Sequence, residues 1–331
     1  MPHAACPIRV DAPSRIHFGL FSFGGTGRQY GGVGLMVRRP MLELHLYPDN
    51  RGPGGLMTSQ RLRETLQRWL AFRQRARMPA CRVAIRCAPP VHAGLGSGTQ
   101  LALALVAALD AFCGYPKLDP TGLAQATGRG QRSAVGTYGF VLGGMIVERG
   151  KAAGETLAPL ECRVPFPTAW PILLVRPTGG QGLSGAAERR AFGTLPPVDS
   201  ATRRHLVRLA REQLIPAVEQ NDFERFSSHL YEYGQVAGTC FAQIQGGPYN
   251  GPELTMLVER IRELGIPGVG QSSWGPTLFA VARDRRQAET VAMELRHHFA
   301  PAEISITVTR ADNVGAKVIS NFEDELSAPR E

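Results

Sequence analysis

The stretch PPVHAGLGSGTQLALAL, residues 89–105, decides how this chain is read. Gly94, Gly96 and Gly98 alternate with Leu95 and Ser97, Thr99 follows, and an alanine- and leucine-rich run with helical spacing begins at once. Glycines leave backbone N–H groups uncovered where the helix starts, and a helix N-terminus attracts anions through its unpaired donors and its dipole. CRVAIRCA at 81–88 reads as a strand, so the loop joins a strand to a helix. That is the context in which a glycine motif signifies phosphate binding.

The 331 residues suffice for one large or two medium domains, and 43% apolar with 20% charged residues describes a soluble globular protein. The +9 formal charge rests on arginine, Lys117, Lys151 and Lys317 being the lysines. These arginines are dispersed along expected helices without interleaved aromatics, a solvated-face pattern that argues against nucleic acid as a partner. Six cysteines without a CxxC pair imply neither a zinc site nor a disulfide framework. The longest apolar run, LALALVAAL at 101–109, is too short for a bilayer, and MPHAACPIRVDAPSR has no apolar signal core. A cytoplasmic location is expected.

Alternating helices and strands run through both halves of the chain. PIRVDAPSRIH, GLMVRR and MLELHLYP read as strands, the last two separated by Pro40, and SQRLRETLQRWLAFRQRAR at 59–77 as an amphipathic helix. Helices at 98–113 and 120–129 precede the strand GGMIVERG, and helices at 199–215, 222–244, 251–264 and 285–299 populate the second half with the strand EISITVTR. The proline-rich segment beginning at Leu157 divides the chain near residue 165. Two domains are therefore expected, 1–165 with the loop 89–99 and 166–331 with the loop 268–276, in an α+β protein of two-layer α/β character without internal repeats.

Three motifs in order carry a resemblance. PPVHAGLGSGTQLALAL is similar to the central phosphate-binding motif of the GHMP kinase superfamily, DAPSRIHFGLF sits where that superfamily has its N-terminal substrate motif, and GVGQSSWGPTLFAVA matches its C-terminal glycine-rich loop. The resemblance implies a GHMP kinase fold: an N-terminal domain like domain 2 of ribosomal protein S5, then a ferredoxin-like C-terminal domain. The segment that carries the kinases' catalytic aspartate reads RSAVGTYGFVLGG here and holds no acid, and Gly98 replaces the loop's second serine. With RIHFGLFSFGGTGRQYGGVGL and GRGQRSAVGTYGFVLGG, the chain resembles the β-ribofuranosylaminobenzene 5′-phosphate synthase family from about residue 9 to 310. That resemblance implies a homodimer of methanopterin biosynthesis joining phosphoribosyl pyrophosphate to 4-aminobenzoate or 4-hydroxybenzoate, with loss of CO2 and pyrophosphate and with Mg2+ on the diphosphate.

Such a reaction needs no aspartate base, because the ring loses CO2 instead of a proton. It needs N–H donors and positive charge around a departing diphosphate. Gly94, Leu95, Gly96, Ser97, Gly98 and Thr99, with Gln271, Ser272 and Ser273 of the second loop, are the expected diphosphate-binding residues, and the hydroxyls of Ser97 and Thr99 the expected metal contacts. Arg15, Arg28 and Arg132 stand in glycine-rich motifs, either as anion ligands or as partners of structural carboxylates. His17 follows Arg15 by two and faces the same side of a strand. Ser133 and Thr137 either bind substrate or cap a helix. Arg15, His17, Arg132, Ser133 and Thr137 are the expected catalytic residues, and Arg28, Tyr30 and Trp274 the expected aromatic-substrate residues, with core packing the alternative for Tyr30. Tyr138 also offers a ring for stacking, and Ser184, Glu188 and Arg189 in GGQGLSGAAERRAF offer a helix start that either reaches substrate or caps itself. Two rivals remain: an ATP-dependent kinase on the same fold, and a non-catalytic phosphometabolite-binding protein.

Overall fold

The computed structural model describes residues 6–49, 59–179 and 185–322, the side chains of 185–189 excepted. Strand β1 (Ile8–Ser22) runs antiparallel to β2 (Tyr30–Pro48) as the long spine of the first sheet. Helix α1 (Gln60–Phe72) leads to β3 (Cys81–Cys87), which pairs with β2. The glycine loop then enters α2 (Ser97–Phe112), followed by α3 (Pro120–Thr127) and α4 (Val135–Leu142). Strands β4 (Met145–Glu148) and β5 (Leu160–Val164) complete that edge. Leu62, Leu66 and Trp69 of α1 pack with Leu103, Leu105 and Leu109 of α2 over Leu42, Leu44 and Leu46 of β2, one apolar stripe per element.

The second sheet is antiparallel in the order β7-β8-β6-β9, from β6 (Ile172–Pro177), β7 (Val269–Gln271), β8 (Leu278–Val281) and β9 (Ile304–Thr309). Helices α5 (Gly185–Thr194), α6 (Ser200–Arg208), α7 (Ile215–Glu219), α8 (Phe223–Thr239), α9 (Ala242–Gln245), α10 (Gly251–Glu263) and α11 (Arg285–His298) surround it. A π-helical turn, Leu209–Leu214, joins α6 to α7.

The expected α+β architecture is present, with three local differences. Strand β2 passes unbroken through Pro40, where two strands were expected. Opposite it the ladder shifts register between Ala12 and Ser14, so the proline's missing N–H falls at an irregularity. The expected helix 222–244 ends at Thr239, with α9 separate. The last strand, β10 (Lys317–Ser320), leaves the second half and pairs with β1. One apolar cluster runs across both halves, with the rings of Phe18 and Phe279 at 5.0 Å. The seam between the sheets is therefore packed, and the site lies along it. Among the described residues no helix is long and apolar enough to cross a membrane.

Candidate active site

Two glycines shape the loop. Gly94 holds φ +81°, and a Cβ there would collide with the Ser272 carbonyl oxygen, so the anion loop and the second glycine-rich loop touch backbone to backbone. Gly98 is needed for another reason: a Cβ would run into the guanidinium of Arg61 from α1. The residue that replaces the kinase serine thus makes room for a cation over the start of α2. Replacing Gly98 by Ser displaces only the flexible end of Arg61, so the fold is expected to survive while anion binding at the start of α2 is expected to weaken about tenfold, about 1.4 kcal/mol. A binding titration beside a thermal melt checks this, and unchanged or tighter binding would refute the role given to Arg61.

Beside the loop opens a cleft of about 820 Å³, ordinary for a small-molecule site. Arg15, Arg129 and Arg132 line it together with His17, Thr99 and Ser133, and so do the rings of Tyr30, Phe192, Phe241 and Trp274. No Asp or Glu is among the described lining residues. The aromatic wall is ordered edge to face, with Phe192 at 5.5 Å and 84° to Trp274 and Tyr30 at 6.0 Å and 87° to Phe192. The Arg132 guanidinium lies 4.9 Å over the Phe192 ring, so the basic and aromatic walls meet. Tyr30 and Ser273, both on the cleft, hold left-handed φ of 65° and 55°, backbone strain of the kind that collects at functional sites.

Arg129 is the most exacting of these groups. Its Nε is buried with no hydrogen-bond partner among the described residues. Burial pushes its pKa down, the charges of Arg61 and Arg68 push it further, and Glu64 opposes them. A desolvated cation held among like charges gains from an anion placed beside it.

His17 anchors the floor. The ladder shifts register between His17 and Gly19, a bulge of the kind that re-aims a side chain. The His17 N–H donates to Ser272 Oγ at 3.0 Å, Ser272 Oγ donates to the Gly94 carbonyl at 2.7 Å, and Ser273 N–H donates to the His17 carbonyl at 3.3 Å. These bonds latch the two loops to β1. His17 Nε2 lies 3.0 Å from Ser133 Oγ, and burial with the nearby Arg15 charge holds its pKa well below 6.5, so the imidazole is neutral at neutral pH.

Behind Ser133 stands a carboxylate that sequence reasoning missed. Glu148 ends β4, fully buried, and its Oε2 accepts from the Ala134 N–H at 2.7 Å, just ahead of α4. RSAVGTYGFVLGG lacks an acid of its own, yet the fold carries one to its N-terminal end from fourteen residues downstream. Burial pushes the Glu148 pKa up to about 7, against the pull of the Ser133 hydroxyl, the Ala134 and Val135 N–H groups and the Arg15 charge. His17, Ser133 and Glu148 form a chain from the cleft surface to the interior.

The expected site residues are partly gathered. Arg15, His17, Tyr30, Thr99, Arg132, Ser133, Gln271, Ser273 and Trp274 line the cleft. Ser133 Oγ also accepts from the N–H of Val135, the first residue of α4, at 3.3 Å. Leu95 is core, Gly94, Gly96 and Gly98 shape the loop beneath, and Ser97 opens α2 without lining the cleft. Ser272 is buried as a latch. Thr137 lies wholly buried inside α4, away from the cleft surface. Arg28 points elsewhere, pairing with Glu155 through two contacts of 2.7 Å. Tyr138 donates to the Ala158 carbonyl at 3.0 Å, a structural role. Ser184 and the side chains of Glu188 and Arg189 lie outside the described residues. Arg129 was missed because charge spacing alone does not separate a cleft arginine from a solvated one. The signal that could have found Arg129 was its place in GRGQRS, three residues before Arg132.

The donors fit no protein-held Mg2+. Ser97 and Thr99 offer hydroxyls alone, and no cluster of three His, Cys, Asp or Glu side chains able to hold a metal occurs among the described residues.

The GHMP kinases N-terminal domain matches residues 62–144 and the GHMP kinases C-terminal domain residues 214–301, together more than half of the chain. The chain belongs to the GHMP kinase superfamily. Its fold is similar to homoserine kinase from Cytophaga hutchinsonii, with a TM-score of 0.65 at 16% identity over 96% of this chain and 99% of that one. The phosphomevalonate kinase of Streptococcus pneumoniae gives 0.66 at 14% identity, over 93% and 100%. Within the superfamily the chain is a transferase-type enzyme. It is 28% identical over 332 residues to the β-ribofuranosylphenol 5′-phosphate synthase of Methanothermobacter thermautotrophicus, covering 94% of this chain and 98% of that protein. The protein so named from Archaeoglobus fulgidus is 28% identical over 336 residues, covering 94% and 99%.

Proposed function

We propose that the enzyme is a decarboxylating phosphoribosyltransferase of methanopterin biosynthesis, joining C1 of phosphoribosyl pyrophosphate to the ring carbon that bears the carboxylate of 4-hydroxybenzoate or 4-aminobenzoate. The observation that carries the reading is a cleft with three arginines, an aromatic wall and no carboxylate among its described lining residues. The C1–O bond breaks with its electron pair going to pyrophosphate, the ring carbon bonds to C1, and the ring–carboxylate bond gives up its pair to restore aromaticity as CO2 departs. No proton need be taken from the ring. Arg129, Arg132 and the α2 N-terminus stabilise the charge that develops on the diphosphate. The neutral His17 imidazole is oriented by Ser133 and adds no charge that would repel the ribosyl cation. Tyr30, Phe192 and Trp274 offer apolar ring surface, face and edge, to the benzoate ring.

Mg2+ enters this reading only as the diphosphate's own counterion, and the homodimer belongs to the same proposal. The relatives' name specifies a phenol product, which favours 4-hydroxybenzoate. Incubation of the purified chain with phosphoribosyl pyrophosphate and each benzoate, with mass-spectrometric identification of products, tests it. Stoichiometric CO2, pyrophosphate and a C-riboside phosphate are expected. ADP formation from ATP and small alcohols, without pyrophosphate release, would restore the kinase.

A further inference from the structure

A second cavity, about 500 Å³, lies between the β1–β2 hairpin and the helix α6 with its π-helical extension. Six arginines line it: Arg28, Arg149, Arg203, Arg204, Arg208 and Arg211. Glu161 and Glu212 are its only described acids, and Glu161 is already engaged with Arg211. Arg28 is engaged with Glu155 outside the lining. Arg149, Arg203 and Arg204 have no side-chain hydrogen bond or ion pair to any described residue. A solvated helix face ordinarily mixes charges of both signs. Here one sign is concentrated on a concave surface, and helical spacing repeats it from Arg204 to Arg208 and from Arg203 through Val207 to Arg211. Like charges gathered so closely repel unless an anion joins them.

The geometry points to a second anion site, for a small phosphorylated molecule bearing at least two negative charges, separate from the catalytic cleft. The cavity volume matches a metabolite, and guanidinium forks recognise phosphate oxygens bidentately. Phe21, Tyr30 and Val207 supply an apolar floor for the rest of such a ligand. Tyr30 belongs to both cavities, and its ring meets Phe192 of the catalytic wall at 6.0 Å. An anion in the second cavity therefore touches the residue that shapes the first.

Calorimetric titration with inorganic pyrophosphate tests the proposal. The unaltered chain is expected to bind two equivalents and Arg203→Ala/Arg204→Ala one, with turnover of the proposed reaction within about twofold of normal. In Arg129→Ala, which weakens the cleft, the remaining equivalent is expected to persist and to weaken at least tenfold when Arg203→Ala/Arg204→Ala is added. Arg203→Lys/Arg204→Lys keeps the charge and is expected to fall between. Identical isotherms with and without the arginine pair overturn the second site whatever becomes of the catalytic reading. Tighter binding of citrate than of pyrophosphate to Arg129→Ala overturns the phosphate assignment.

Discussion

Replacing Arg129 by Ala is expected to lower kcat/KM for the proposed reaction by about 100- to 1,000-fold, the range that follows removal of one preorganised donor from a developing anion. The same substitution is expected to leave the thermal midpoint unchanged or to raise it. The opposite signs follow from one arrangement. In the free enzyme Arg129 is half-buried with an unpartnered Nε and is pressed by Arg61 and Arg68, so the folded state bears a cost that only a bound anion relieves. A structural arginine would behave otherwise, since its loss would strand a carboxylate and lower the midpoint. Steady-state kinetics and a melt on the same preparation decide the matter. A lowered midpoint with intact turnover would remove Arg129 from the site.

The second large effect concerns Glu148 and pH. Its folded pKa of about 7 stands above the ordinary 4.5, so the folded chain holds this proton more tightly than the unfolded chain does. Stability from this group is therefore fully present below pH 4.5 and is lost as pH rises through about 7. The loss is about 3 kcal/mol at 1.36 kcal/mol per unit. His17 works in the other direction, because its pKa is held below 6.5 and its contribution is lost as pH falls. The two partly cancel in the unaltered chain, and Glu148→Gln separates them. Gln keeps an oxygen for the Ala134 N–H and cannot ionise. Denaturant titrations between pH 4.5 and 8 are expected to show the variant gaining on the unaltered chain by about 3 kcal/mol across that window. The pH profile of kcat is expected to lose an inflection near neutrality, since ionisation of Glu148 reorients Ser133 and with it His17. A stability difference that does not change with pH would mean that the carboxylate is ionised throughout.

Much of this molecule was legible in local sequence. The loop before α2, the amphipathic α1 and the strand–helix alternation rest on spacing and on glycine's tolerance of positive φ, which are properties of a few consecutive residues. The motif order identified the superfamily, and nine of the expected site residues do line the cleft. The departures from expectation share a cause. Arg28 sits in a glycine-rich motif like Arg15, but the β1–β2 hairpin carries it to Glu155 and the second cavity. Thr137 is two residues past the start of α4, and the turn of that helix buries it. Pro40 looked like a strand boundary and is absorbed by a register shift in the strand opposite.

By itself the sequence determined the secondary-structure plan, the anion loop and the lack of an acid within RSAVGTYGFVLGG, because each depends on neighbours in the chain. Only the tertiary structure decided that Glu148 takes its place beneath that segment, that Gly98 makes way for Arg61, and that Arg129 stands half-buried with an Nε that has no partner among the described residues. These depend on which distant groups share a low-dielectric space, where desolvation and charge act over a few ångströms irrespective of separation along the chain.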